Sequence, residues 1–190
     1  MLRRRQIPAV LTDANTEALA RGTQLVLEEA AYDRQAKAAT TEKMSQAATL
    51  LNASTADQEL AGCDLIIEAV IEKLDIKRSI FARIEPQLGE ETILASNTST
   101  IPIGELADGL KHPDRLCGIH FFNPVRRMKL VEVIRGARTS DQTVATSVAY
   151  VKRLGKMPIV VNDGPGFLVN RLLLPYMNEA LELVCGGASI

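Results

Sequence analysis

The chain alternates short apolar runs with longer segments in which apolar residues recur at helical spacing. Short runs of this kind are typical of parallel strands that are buried on both faces. They lie at Ile7–Thr12, Leu51–Thr55, Asp64–Val70, Thr92–Ala95, Leu116–Ile119, Leu130–Ile134 and Met157–Asp163. The alternation predicts an α/β fold built around a mostly parallel sheet.

The helical segments differ in length and in the clarity of their pattern. Residues 16–51 are rich in Ala, Glu, Leu, Gln and Lys, and the segment is too long for one ordinary helix. We therefore predict two helices with a break near Ala39–Thr41. After the third run, a core-facing helical stripe is predicted at Ile76, Ile80, Phe81 and Ile84. An amphipathic helix is predicted after Ser140, and Pro175 predicts a kink in the last helix.

Polar residues directly follow two of the apolar runs. Ser96–Ser99 follows the fourth run, and His120–Pro124 follows the fifth. Open α/β sheets hold ligands at the carboxyl ends of their strands, so these residues are placed where a site would form. The sixth run carries one carboxylate, Glu132, in its middle, on the strand expected beside them.

His120 has two interpretations. A single histidine is most often a hydrogen-bonded structural residue. At a strand end beside Phe121 and Phe122, the ring would instead be partly desolvated, which favours the neutral form that a general base needs. Glu132 is then either the carboxylate that orients the ring or an incidental charge on an edge strand. The other histidine, His112, lies in a loop-like segment and is expected to be solvated.

Ser99 also has two interpretations. Its hydroxyl can bind a substrate oxygen, or it can cap the helix that is predicted to follow it. Both roles are compatible if Thr100 supplies the cap and Ser99 faces the site.

Four motifs in order along the chain resemble the L-3-hydroxyacyl-CoA dehydrogenase family: SNTST, HFFNPV, KLVEV and PGFLVNR. The RRM that follows HFFNPV, together with VVNDGPGF, resembles the dehydrogenase region of a bacterial multifunctional fatty-acid-oxidation enzyme. The resemblance extends from about Ile7 to the end of the chain. It implies a Rossmann-like, doubly wound sheet, NAD as the cofactor and an acyl-CoA as the substrate.

The resemblance also implies roles for the matching residues. His120 is the general base that takes the 3-hydroxyl proton, and Glu132 orients it. Ser99 and Asn170 bind the substrate oxygen and the thioester side, and Asn123 and Ser99 touch the nicotinamide end of NAD. The implied reaction is oxidation of a (3S)-hydroxyacyl-CoA to the 3-ketoacyl-CoA in fatty acid β-oxidation.

Three more residues are candidate cofactor contacts. Asp13 ends the first run, where an acid would bind the adenosine ribose hydroxyls and favour NAD over NADP. From the sequence alone, Asp13 or Asn15 could equally well cap the following helix, and the resemblance favours ribose binding. Glu72 and Lys77 match cofactor-contacting positions of the family, although by themselves they would be ordinary charges in the first turn of a helix.

A G-x-G-x-x-G loop for the cofactor phosphates does not occur in the sequence. Gly164-x-Gly166 is no substitute, because Val169 stands at the third glycine position and Pro165 lacks a backbone donor. The resemblance implies that the first strand is missing too, so its neighbours must close up, recruit another segment or keep exposed edges. The chain would then be truncated at both ends, with an incomplete NAD-binding domain at 1–163 and the start of a helical substrate or dimerisation domain at 164–190.

Composition excludes several classes of function. The net charge of −1 provides no basic stripe for nucleic acid. No apolar run reaches the roughly 18 residues of a membrane helix, and no apolar segment of a secretory signal follows the arginines at 3–5. Cys63, Cys117 and Cys185 form no CxxC pair. We therefore expect no metal site, and reduced thiols in a cytoplasmic protein.

Three functional hypotheses follow. The first is an NAD-dependent 3-hydroxyacyl-CoA dehydrogenase, and the second is a catalytically silent module of the same fold that holds acyl-CoA or pairs with another subunit. The third is a 3-hydroxybutyryl-CoA dehydrogenase, which differs only in chain-length preference. The substrate motifs favour the first for the family. The missing glycine loop favours an inactive chain for this polypeptide, and exposed strand edges favour a homo-oligomer or other self-association.

Overall fold

A computed structural model describes residues 7–33 and 37–189. Its strands are β1 (Ala9–Thr12), β2 (Tyr32–Asp33), β3 (Ala38–Ala39), β4 (Leu51–Ser54), β5 (Leu65–Glu68), β6 (Ile93–Ser96), β7 (Leu116–Phe121), β8 (Leu130–Arg135) and β9 (Met157–Asn162). Its α-helices are α1 (Thr16–Ala31), α2 (Thr41–Ala48), α3 (Leu74–Ile84), α4 (Ile103–Leu106), α5 (Asp141–Arg153) and α6 (Val169–Cys185). Short 3-10 helices lie at Asp57–Leu60, Glu85–Gln87 and Pro113–Arg115.

The main sheet has the strand order β5-β6-β7-β8-β9. β5, β6 and β7 are parallel, whereas β8 runs antiparallel to β7 and parallel to β9. The segment 122–129 between β7 and β8 is too short for a parallel crossover, which needs about a dozen residues or more. The sheet is therefore mostly parallel, as predicted, and its one antiparallel pair places His120 directly opposite Glu132.

β1 and β4 form a separate parallel pair. Within the described residues, β1 has only β4 as a hydrogen-bonded neighbour, and β5 has only β6. In the described part of the chain, the other edge of each of these two strands therefore has no hydrogen-bonded strand partner. Val10 of β1 nevertheless packs against the core cluster that contains Ile66 of β5.

Apolar side chains cover both faces of the main sheet. On one face Leu94 packs in a cluster with Phe81 of α3 and Leu106 of α4. On the other face Ile119 packs in a cluster with Val151 of α5. Because successive strand residues point to opposite faces, a sheet covered on both sides needs the unbroken apolar runs found in the sequence.

The helices follow the sequence pattern with two corrections. Residues 16–51 do form two helices, α1 and α2, but the two very short strands β2 and β3 pair between them. On α3 the predicted stripe is wrong at Ile76, which is exposed, whereas the adjacent Lys77 is buried. Lys77 is tolerated there because it takes part in a buried ion pair, described below. Pro175 lies inside α6, and the kink stays a prediction.

Gly118 on β7 is required by close packing against β8. A Cβ at this position would lie 2.6 Å from Ile134 Cδ1 and 2.9 Å from Ile134 Cβ. We expect Gly118→Ala to cost about 1–3 kcal/mol of unfolding free energy, the usual range for overpacking a core. Thermal unfolding followed by circular dichroism measures this, with Gly62→Ala as the control because a Cβ there meets no atom within 4 Å. Equal melting temperatures for the two variants would contradict the packing argument.

None of the helices in the described part of the chain is long and apolar enough to cross a membrane. The arginine cluster at 3–5 lies outside the described residues.

Candidate active site at the carboxyl ends of the strands

His120 and Glu132 form a buried pair between β7 and β8. The antiparallel register places the two residues opposite each other, and His120 Nδ1 lies 2.8 Å from Glu132 Oε2. His120 is 5% exposed and Glu132 is fully buried. A carboxylate only accepts hydrogen bonds, so the proton of this contact belongs to Nδ1 and the neutral ring keeps a free lone pair on Nε2. This is the arrangement that a histidine general base requires.

The second oxygen of Glu132 binds the start of α6. Glu132 Oε1 accepts hydrogen bonds from the backbone N–H groups of Leu168 at 3.0 Å and Val169 at 2.9 Å. These N–H groups belong to the first turn of a helix, where they have no intrahelical partner and favour a negative charge. Glu132 is therefore not an incidental charge on an edge strand, since both of its oxygens are engaged.

Two aromatic rings pack beside the imidazole. The centroids of the His120 and Phe122 rings are 4.5 Å apart, and those of His120 and Phe167 are 5.9 Å apart. Phe122 was predicted beside the histidine, and Phe121 packs instead with the core cluster on the α5 face. Phe167 comes from a distant turn in which it has a left-handed backbone, with φ of 48°. Sequence reasoning missed it because no local pattern connects it to His120.

Ser99 and Asn170 lie together at the same end of the sheet. Asn170 Nδ2 donates a hydrogen bond of 3.2 Å to the backbone oxygen of Ser99, and Ser99 is exposed. The structure thus brings together two of the predicted substrate-binding residues, although they lie far apart in sequence.

The helix after Ser99 is not capped by Ser99 or Thr100. α4 begins at Ile103, and the backbone N–H groups of Ile103 and Gly104 donate to the two carboxylate oxygens of Asp163, at 2.9 and 2.8 Å. A carboxylate in this position satisfies free N–H groups as a local cap would. The prediction of a Thr100 cap is therefore wrong. Asp163, at the end of β9, was not identified from the sequence because its partners are remote.

A charged network that includes buried side chains contacts the loop that contains Ser99. Lys77 Nζ lies 2.7 Å from Glu68 Oε1 and 3.1 Å from Glu72 Oε2, and the Lys77 side chain is only 1% exposed. Glu68 also accepts a hydrogen bond of 2.6 Å from the Ser96 hydroxyl. Glu72 and Lys77 are therefore not ordinary solvated charges of a first helical turn, and Glu68 is a member that sequence reasoning missed.

Glu72 connects this network to Ser99. Its Oε1 accepts hydrogen bonds from the Thr98 hydroxyl at 2.5 Å and from the Ser99 N–H at 2.9 Å. Burial raises the pKa of Glu72, but the hydrogen bonds from Thr98 and Ser99 and the neighbouring Lys77 outweigh it and leave the pKa below its ordinary value. Glu72 is 40% exposed, so part of its carboxylate remains open to a ligand.

Asp13 and Asn123 are both exposed, and the hydrogen bonds of the described residues do not connect them to this network. Asn15, rather than Asp13, caps α1 by accepting from the Ala18 N–H at 2.9 Å. Asp13 accepts a hydrogen bond from the Asn15 N–H at 2.8 Å. The capping alternative therefore belongs to Asn15, and the Asp13 carboxylate stays at the surface after β1.

The mostly parallel sheet with polar residues at its carboxyl ends and a buried histidine–carboxylate pair defines a class of protein, the Rossmann-like dehydrogenase domains. The chain matches the family described as "3-hydroxyacyl-CoA dehydrogenase, NAD binding domain" over residues 1–164. It belongs to that family. The resemblance inferred from the motifs and the Rossmann-like fold are thus confirmed.

Individual relatives agree with this assignment. The chain is 51% identical over 148 residues to the fatty acid oxidation complex subunit alpha of Pseudomonas syringae pv. syringae, an alignment that covers 78% of this chain and 20% of that protein. The crystal structure of (S)-3-hydroxybutyryl-CoA dehydrogenase from Ralstonia eutropha superposes with a TM-score of 0.89 at 41% identity, covering 98% of this chain and 66% of that one. For 3-hydroxybutyryl-CoA dehydrogenase from Escherichia coli K12 the TM-score is 0.88 at 34% identity, with 95% and 38% covered. The chain spans about a fifth of the length of the curated relatives it matches.

NAD is the cofactor of this family. The residues present fit its ribose and nicotinamide groups but not its phosphates. Glu72 offers a partly exposed carboxylate that accepts from the backbone of the exposed Ser99, and Asp13 offers an exposed carboxylate after β1. These groups suit ribose hydroxyls and the nicotinamide end. No such residues are found for the phosphates, since the sequence holds no G-x-G-x-x-G and the described residues form no glycine-rich phosphate-binding loop.

Proposed function

We propose that this domain carries the proton-transfer centre for NAD-dependent oxidation of (3S)-hydroxyacyl-CoA to 3-ketoacyl-CoA in fatty acid β-oxidation. The observation that carries the proposal is the 2.8 Å contact between His120 Nδ1 and a buried Glu132. It leaves Nε2 as the basic nitrogen and provides a negative charge beside the imidazolium that forms. The shared family and the fatty-acid-oxidation relatives supply the substrate class.

Each residue has a separate task in this reaction. His120 Nε2 takes the proton of the 3-hydroxyl group, and Glu132 stabilises the resulting imidazolium. The Ser99 hydroxyl binds the 3-oxygen, and Asn170 binds the thioester side of the substrate. NAD, when bound, would supply the acceptor for the hydride from C3.

For the cofactor we propose Asp13, Glu72, Lys77, Ser99 and Asn123 as the contributing residues. Asp13 would bind the adenosine ribose, and Glu72, Ser99 and Asn123 the nicotinamide end. Lys77 is buried beneath Glu72, so its contribution would pass mainly through Glu72.

The rate of NADH formation from (3S)-3-hydroxybutyryl-CoA tests the function. The chain is used in excess over substrate with NAD at millimolar concentration, so that weak cofactor binding does not hide the chemical step. NADH formation with this substrate, but not with its (3R) isomer, would support the proposal. A folded chain that forms no NADH from either isomer would contradict it.

The second candidate is a catalytically silent module that binds acyl-CoA or another subunit. The exposed apolar side chains of α6, among them Leu172 and Leu174, favour the form of this function that pairs with another subunit. Saturable binding of acetoacetyl-CoA without turnover would select this function. A 3-hydroxybutyryl-CoA dehydrogenase, as in the Ralstonia eutropha relative, is distinguished from longer-chain enzymes by comparing rates over a series of acyl lengths.

We propose that residues 164–190 begin a second, helical domain, and that copies of the chain associate through α6. Most residues of this helix are apolar and form one broad face, and none of its residues is buried. The polar residues Asn170, Arg171, Asn178, Glu179 and Glu182 lie together on the other side. Leu172, Leu174 and Tyr176 are 66%, 67% and 74% exposed. An amphipathic helix normally packs its apolar face against another element, and so large an exposed apolar face favours association.

Sedimentation equilibrium tests the association. We expect a mass above that of the monomer, which Leu174→Glu returns to the monomer value. Leu25→Glu is the matched control, because Leu25 is 62% exposed on α1. An unsubstituted chain that is monomeric at micromolar concentration would contradict the proposal.

We also propose a cytoplasmic location. Cys63, Cys117 and Cys185 are free thiols, as expected in a reducing compartment. Burial raises the pKa of Cys117 to about 11, although a hydrogen bond with Ser147 opposes the shift, so this thiol is unreactive. Fractionation of cells that produce the tagged protein tests this location.

A further inference from the structure

The carboxylate of Glu132 has different partners on its two oxygens. Oε2 faces His120 Nδ1, whereas Oε1 accepts both backbone N–H groups, from Leu168 and Val169. Residue 168 is the N-cap of α6, and no side chain of the helix itself serves as a cap. Glu132, which lies on β8, thus performs for the helix the task that an N-cap side chain normally performs.

We propose that the amino end of α6 sets the tautomer of His120 through Glu132, which makes residues 168 and 169 a positioning element of the base. The backbone N–H groups of Leu168 and Val169 can only donate, so the side-chain atom of residue 132 that faces them must be an acceptor. Only a carboxylate can accept these two hydrogen bonds with one oxygen and still offer a second oxygen as acceptor to His120 Nδ1. The proton is therefore held on Nδ1, and Nε2 stays unprotonated.

The proposal gives Glu132→Gln a specific consequence. A glutamine has one oxygen and one NH₂ group. The amide oxygen should face α6, because there it accepts hydrogen bonds from the two backbone N–H groups. The NH₂ group then faces His120 and donates to Nδ1, so the ring proton must move to Nε2. The side chain keeps its size, yet the nitrogen needed as a base becomes protonated. The catalytic part of this inference rests on the proposed function, but the tautomer does not.

Side-chain ¹⁵N NMR of the neutral imidazole measures the tautomer directly, without cofactor or turnover. The sequence has only two histidines, so the His112→Gln variant assigns the His120 signals. We expect Nδ1 to carry the proton in the unsubstituted chain and Nε2 to carry it in Glu132→Gln. NADH formation should fall by roughly 10²- to 10⁴-fold in the same variant, the range of a lost acid–base group.

A matched variant controls for the loss of a buried charge. Glu85 is also buried, and its two oxygens accept the N–H groups of Lys111 and His112 at 3.0 and 2.8 Å. Glu85→Gln should leave the His120 tautomer unchanged. Retention of the Nδ1 proton in Glu132→Gln would overturn the proposal. An Nε2 proton in the unsubstituted chain would overturn it as well, and this result needs no variant to fold. Failure to oxidise hydroxyacyl-CoA would affect only the proposed function.

Discussion

Replacing His120 by glutamine should lower the rate of NADH formation by roughly 10²- to 10⁴-fold, the contribution of a positioned acid–base group. Glutamine occupies a similar volume and can still contact Glu132, but it has no nitrogen that accepts a proton. NADH affinity should change little, because His120 takes the substrate proton and is not among the proposed cofactor contacts. Single-turnover rates and a calorimetric NADH titration measure the two quantities separately.

His112→Gln is the control for this experiment. His112 is exposed, and the hydrogen bond to Glu85 comes from its backbone, so the substitution removes an imidazole without touching the site. The single-turnover rate and the NADH affinity should both match those of the unsubstituted chain. If His120→Gln reduced NADH affinity as much as the rate, His120 would be a binding residue and the role of general base would be wrong.

Replacing Lys77 by methionine should reduce the free energy of unfolding by about 3–5 kcal/mol, as found when one partner of a buried ion pair is removed. Methionine fills the space of the lysine stem but leaves the Glu68 carboxylate, 2% exposed, without its counter-charge. For a chain of this size the loss corresponds to a fall of roughly 6–20 °C in melting temperature. Thermal and urea unfolding measure it.

Two further variants show whether charge burial is the cause. Lys152→Met removes an exposed lysine from α5 and should change stability by less than about 0.5 kcal/mol. The double variant Glu68→Gln and Lys77→Met removes both charges and should recover part of the loss, since a neutral pair has no unpaired charge to desolvate. If Lys77→Met unfolded at the temperature of Lys152→Met, the buried pair would have no structural role.

Much of the fold could be predicted because the information is local. A buried strand shows as an apolar run, and β5 to β9 lie within or close to the runs found in the sequence. The pairing of His120 with Glu132 was also within reach, since a lone acid in an apolar strand needs a partner. The geometry of the pair was not within reach, because it depends on the register in which β7 and β8 pair.

The parts of the site that escaped prediction depend on contacts between distant segments. Asp163 caps a helix some sixty residues before it, and Phe167 packs against His120 from a different turn. Glu68 and Lys77 look like ordinary surface charges in the sequence, and only the strand ends that surround them make them buried partners. Helical periodicity therefore assigned Ile76 to the core and gave no sign that Lys77 would be inside.

The most direct test of the account is a calorimetric titration of the purified chain with NADH. If Asp13, Glu72, Ser99 and Asn123 form a cofactor site, heat should be released saturably with one NADH per chain, and Asp13→Ala should weaken binding. No binding by a chain that is folded by circular dichroism would contradict the claim that these residues hold the cofactor. The chain would then be a silent module of its family.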